Sequence, residues 1–146
     1  FYLLNKQANE NKENFILSLK KSNGDLFNSY IDMFHIMLIK FKNNEDRNFF
    51  KNTFLNMNHK VEKVFTKKFT EERYYSEFAE INHFINRENL NIGDEQELMH
   101  VIQILTAVTF HNLIQNFSKE LSVEESLENY TCQIQIVKKG LSKETN

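Results

Sequence analysis

Two Glu-x-x-His pairs, Glu80 with His83 and Glu97 with His100, have the spacing closest to catalytic equipment. Side chains three apart share a helix face, and a di-iron bundle takes its ligands from such pairs. That centre also needs carboxylates on opposing helices. Asp32 and Glu62 are the acidic residues well inside the other long helical stretches, whereas both pairs lie beside one loop, so the geometry argues against a shared centre. The single histidines His35, His59 and His111 read as packed, hydrogen-bonded side chains. The chain has no nucleophile elbow, no glycine-rich phosphate loop and no Cys/His cluster. The lone Cys132 has no partner for an internal disulfide and reads as a small buried thiol inside the last helix. The sequence therefore predicts no catalysis, no cofactor and no metal centre.

What remains is aromatic chemistry. Phe34, Met37, Phe41, Phe54, Phe65, Tyr75, Phe78 and Phe110, with Thr106, are the candidate ligand-binding set. Large rings at many facing positions of a small bundle tend to leave a cleft, and an apolar cleft with a few polar groups, here Tyr74, Thr106, Thr109, His111 and Asn112, is the usual make-up of a small-molecule site. Methionine softens such walls. Each residue taken singly also suits a plain core.

These residues must be positioned by helices. The chain has no proline, and its three glycines, Gly24, Gly93 and Gly140, fall at helix boundaries suggested on other grounds. No β alternation and no internal repeat occurs. A modest helix is expected over residues 1 to 20, and Asn23-Gly24-Asp25 makes a turn with Asp25 as N-cap to a second helix over about 25 to 43. After the polar break from Lys42 to Asp46, Phe50, Phe54, Met57, Val61, Val64 and Phe65 predict a long amphipathic helix to about Phe69. A shorter stripe, Tyr74, Phe78, Ile81 and Ile85, ends in the polar loop from Asn86 to Gly93.

The last third specifies itself best. Asp94 with Glu97, and Ser122 with Glu125, are capping boxes opening helices over about 94 to 120 and 122 to 141. Gly140 is expected to take a left-handed C-cap conformation with Leu141 folding back. The first of these helices is apolar nearly all round. In the second, Val123, Leu127, Tyr130, Ile134, Val137 and Leu141 recur at steps of 4, 3, 4, 3 and 4, a stripe that faces a neighbouring helix. Two readings are open: a central core helix in a monomeric bundle, or a helix pair that meets the same pair of a second copy as an intermolecular four-helix bundle. On the second reading the homodimer interface takes Leu105, Thr109 and Asn112 from one helix and Leu127, Tyr130, Ile134, Val137 and Leu141 from the other.

Composition sets the outer limits. At 146 residues, 40% of them hydrophobic, the chain has the length of one domain with a sizeable core. The net charge of −2, with signs interspersed, gives no nucleic-acid or membrane-surface footprint, and Lys60, Lys63 and Lys67 read as a solvated helix face. No run has the length of a membrane span and no signal peptide is evident, so a cytoplasmic protein is expected. The first residue is Phe1, from which an absent upstream segment is expected.

Residues Leu90 to Leu141 resemble the C-terminal part of the TetR/AcrR family of bacterial transcriptional regulators. There a long apolar helix precedes an ending matched here by Glu124, Glu125, Leu127, Tyr130, Ile134, Val137 and Gly140-Leu141. The resemblance implies a regulatory domain in which the last two helices pair with those of a second subunit and the preceding helices enclose an inducer pocket. It also implies an N-terminal helix-turn-helix reader, and nothing before Asp25 has that pattern. The expectation is thus an all-α bundle of about five to six helices. Residues 1–146 would form one ligand-binding and dimerisation domain of a repressor that releases DNA on binding a small hydrophobic inducer, with operator DNA a partner only through the missing domain and no membrane association. A helical dimerisation module without ligand and a di-iron-type helical enzyme are the alternatives.

Overall fold

The computed structural model describes residues 2–43, 45–56, 79–88 and 90–143. Among these the architecture is all-α, with one isolated antiparallel bridge, Leu90 to Ser142. The helices are α1 (Tyr2–Lys21), α2 (Leu26–Asn43), α3 (Arg47–Leu55), α4 (Glu95–Lys119) and α5 (Val123–Leu141), and residues 79–84 are also helical.

Helices α1 and α2 form an antiparallel hairpin. Its register is fixed by the Ser18 hydroxyl, which donates to Asp32 Oδ2 at 2.7 Å, by the Lys40–Glu10 ion pair, and by the edge-on contact of Phe15 with Tyr30 at 4.9 Å. The turn between them needs its own residues. Asn23 and Gly24 both have positive φ, 56° and 85°, and the Gly24 N–H closes the end of α1 on Leu19 O at 2.7 Å. Asp25 then caps α2 by accepting from the Asn28 N–H at 3.0 Å. Gly24 is further constrained by space. Its carbonyl accepts from Asn86 N at 3.0 Å, and a Cβ at this position would stand 2.6 Å from Phe84 O. The α1–α2 turn is therefore seated against residues 84–86.

Helix α3 closes at Leu55. Asn56 leaves helical geometry at φ −108°, ψ 31°, and both its backbone and side-chain N–H groups donate to Asn52 O at 3.0 Å. Residues 57–78, over which the sequence reading carries this helix to Phe69 and begins the next, lie outside the described residues.

Helices α4 and α5 open as their caps predict. Asp94 Oδ1 accepts from Glu97 N at 2.8 Å and Ser122 Oγ from Glu125 N at 3.1 Å. Helix α4 ends on a left-handed residue that is not glycine, Glu120 at φ 49°, with Leu121 N returning to Asn116 O. The end of α5 differs from expectation. Gly140 stays helical, and the chain is stopped instead by long-range pairing, Asn91 N donating to Leu141 O at 2.6 Å beside the Leu90–Ser142 bridge. The loop before α4 thereby clamps the last turn of α5. Nearby, a hydrogen bond from Arg87 holds the Glu95 carboxyl below its usual range.

The core lies between α2, α4 and α5. Phe34, Phe41, Leu98, Leu105, Leu113, Phe117, Tyr130 and Ile134 are almost wholly withdrawn from solvent, each such side chain contributing about 1.5–3 kcal/mol of burial. Helix α5 packs on α2 as well as on α4, and α3 packs on α4.

Candidate functional site

The α4–α5 hairpin is held together from within by polar rungs. The Tyr130 hydroxyl and Thr109 Oγ1 lie 2.7 Å apart, Asn112 Nδ2 donates to Gln133 Oε1 at 2.7 Å, and Asn116 Nδ2 donates to Ser126 Oγ at 2.8 Å. From Thr109–Tyr130 to Asn116–Ser126 the contacts step forward along α4 and backward along α5, so the two helices are antiparallel. Burial pushes the Tyr130 phenol well above its ordinary value, against the opposing effect of its hydrogen bond with Thr109.

This geometry corrects part of the expected interface. Leu105, Thr109, Tyr130 and Ile134 are buried inside one subunit and turn away from any partner, and Asn112, also buried, reaches only the floor of the groove described below. Leu127, Val137 and Leu141 are half-buried against the same core. The reason is that α5 turns its 4–3 stripe to α2 and α4 of its own chain: the Tyr130 ring lies 4.0 Å from that of Phe34. The opposite face of the hairpin is the open one. It carries Ile104, 53% exposed, and Ile136, 68% exposed. Beside them a groove of about 250 Å3 is lined by polar side chains, among them His111, Asn112, Gln115, Asn129 and Gln133. Periodicity already held the signal for this face, since Ile136 stands two residues from Ile134 and lies off the stripe that includes it. Cys132, expected to be buried, is exposed on α5.

The expected ligand-binding residues separate into groups. Phe41, Phe54 and Phe110 come together in a ring cluster completed by Phe50 and Phe117, which the sequence reading did not include in the set. Centroid distances are 4.9 Å for Phe41–Phe50, 5.6 Å for Phe41–Phe117, 5.8 Å for Phe54–Phe110 and 5.9 Å for Phe54–Phe117. The Arg47 guanidinium covers Phe117 at 5.1 Å. Phe117 sits seven residues after Phe110 on the same face of α4, a spacing that would have added it. Phe34, in the same core, lies against Tyr130, and Met37 is buried on α2. Thr106 is half-buried, 3.0 Å from the hydroxyl of Tyr30. Phe65, Tyr75 and Phe78 lie outside the described residues, as do His59, Glu62 and Tyr74.

The Glu-x-x-His pairs do not converge. Glu80 pairs with Lys12 at 2.9 Å, Glu97 accepts from the Gly93 N–H at 2.5 Å, and His83 packs edge-on against Phe84. Among the described residues no three His, Cys, Asp or Glu side chains come together as metal ligands, and no helix is long and apolar enough to cross a membrane.

No curated relative and no solved structure matches the chain. The family described as "Tetracyclin repressor-like, C-terminal domain" matches residues 25–141, a span running from the cap of α2 to the end of α5. The chain belongs to this family of transcriptional regulators, as a C-terminal domain of the tetracycline repressor-like type.

Proposed function

We propose that this chain is the ligand-sensing and dimerisation domain of a cytoplasmic transcriptional repressor, which leaves its operator when a small hydrophobic inducer binds. Two copies pair through the outer faces of their α4–α5 hairpins. The observation that carries the reading is the exposure of Ile104 and Ile136 on a hairpin whose other face packs on the core of its own subunit. Exposed large aliphatic groups on a rigid, doubly capped helix pair are what an isologous helical interface requires. Inducer binding is assigned to the aromatic-rich helices that precede α4. DNA contact is assigned to a helix-turn-helix domain preceding this chain, because the net charge of −2 supplies neither phosphate neutralisation nor base readout here. Two-fold pairing would hold two such readers for successive major grooves, about 34 Å apart, and a ligand that prefers one arrangement of the helices shifts that spacing.

A helical dimerisation module that takes no ligand is the second reading, favoured by the direct contact of the Phe41, Phe54 and Phe117 rings. A gel-shift comparison on DNA upstream of the gene separates these. The intact gene product should retard that DNA sequence-specifically and release it with a hydrophobic amphiphile, while residues 1–146 alone should not bind. Retardation that no amphiphile relieves favours the module; specific retardation by the chain alone refutes the assignment.

A further inference from the structure

Among the described residues one buried side-chain atom lacks a hydrogen-bond partner, Oε1 of Gln7. Gln7 is 7% exposed and lies on the inner stripe of α1 with Leu4, Phe15, Ser18 and Leu19. Its amide is oriented by one bond, Nε2 donating to Asn11 Oδ1 at 2.7 Å, which leaves the oxygen turned away from that partner. Glu10 meets Lys40 and Ser18 meets Asp32 across the hairpin, so Gln7, nearer the start of α1, is level with the last turn of α2. Phe41 is buried in that turn, in one continuous core with Leu4, Phe50 and Phe54. A carbonyl oxygen withdrawn from water without a donor is disfavoured, and leucine would serve the packing alone better.

Resting on the ligand-sensing reading above, we propose that Gln7 Oε1 is the polar contact for the inducer, accepting a hydrogen bond from a neutral hydroxyl or amide N–H on an otherwise apolar molecule. The neutral class follows from the surroundings. A buried ammonium needs a counter-charge or several acceptors, and the carboxylate one turn along α1, Glu10, is engaged with Lys40. An acceptor-only ligand would leave the oxygen as it is.

The test titrates the chain and its Gln7→Leu variant with n-decanol, methyl nonyl ketone and n-undecane by calorimetry, with Gln7→Met as a second variant and circular dichroism confirming the fold of each. The substitution should weaken n-decanol binding roughly threefold to tenfold, the value of one neutral hydrogen bond, and leave the other two probes unchanged. Equal effects on all three, or none on any, overturn the role of Gln7 while the sensor reading stands. Selective weakening of the ketone means that the amide donates rather than accepts and also overturns it. Absence of binding by every probe to the unaltered chain removes both this inference and the sensor reading.

Discussion

The Tyr130 hydroxyl donates to Thr109 Oγ1 across the α4–α5 seam, at 2.7 Å. The direction is fixed because the single proton of Thr109 is already given to Leu105 O, one turn back, at 2.8 Å. The Tyr130 ring also packs, tilted by 37°, on Phe34 of α2, so one ring ties three helices together. A phenolate would reverse this bond and place a charge in a dry seam.

The first prediction concerns alkaline pH. The folded Tyr130 holds its proton above the ordinary phenol value of 10.0, whereas the unfolded chain loses it there. The folded state therefore binds more protons at high pH. The contribution is fully present below pH 10.0 and is lost as pH rises beyond it, so stability falls in that window. Tyr130→Phe should cost about 1 kcal/mol at neutral pH and flatten the alkaline decline. Urea unfolding at a series of pH values measures both; an unchanged decline in the variant would contradict the assignment.

Gly24→Ala is predicted to be among the most damaging small substitutions. The position combines φ of 85° with a Cβ that would meet Phe84 O at 2.6 Å, and backbone cannot swing aside as a side-chain tip can. A cost of about 2–4 kcal/mol is expected, from left-handed strain together with separation of the α1–α2 turn from residues 84–86. Chemical denaturation reads the loss, and a cost below about 0.5 kcal/mol would contradict the close approach.

Glu120→Gly should act in the opposite direction. Glu120 occupies the left-handed C-cap of α4 at φ 49°, a conformation glycine adopts without penalty. Its ion pair with Lys51, at 3.3 Å with the Glu120 side chain 77% exposed, is worth little. A gain of about 0.5–1 kcal/mol is expected in thermal unfolding. A loss would show that the Lys51 contact outweighs the strain.

Local signals were legible in the sequence and long-range ones were not. The side chains of Asp25, Asp94 and Ser122 and the Asn23-Gly24 turn act within a few residues of themselves, and each stands where residue type placed it. Gly140 had the same local signature, yet its helix is ended by Asn91 and Leu90, fifty residues away in the chain. The 4–3 stripe of α5 marked a buried face correctly but carried no information on which helix buries it. Packing on Phe34 makes that face internal. In the same way, aromatic density marked Phe41, Phe54 and Phe110 as neighbours, while the contact of Phe34, two turns before Phe41 on α2, with Tyr130 depends on the packing of α5 against α2.

The last prediction turns on two isoleucines of α5 that lie two residues apart. Ile134 is fully buried against its own subunit and Ile136 is 68% exposed. Aspartate at Ile134 puts an unpaired carboxylate into the core, at a cost of several kcal/mol, enough to remove much of a small domain's stability. The expected result is an unfolded or aggregated chain, not a folded monomer. Aspartate at Ile136 meets water in the isolated subunit and costs little there, but pairing through this face, as proposed, would desolvate it. That variant, and Ile104→Asp with it, should keep the helical circular dichroism of the parent and elute as a monomer in light-scattering chromatography. If the Ile136 variant stays dimeric while the Ile134 variant becomes a folded monomer, the contact surface is the inner stripe and the packing of α5 on α2 is wrong.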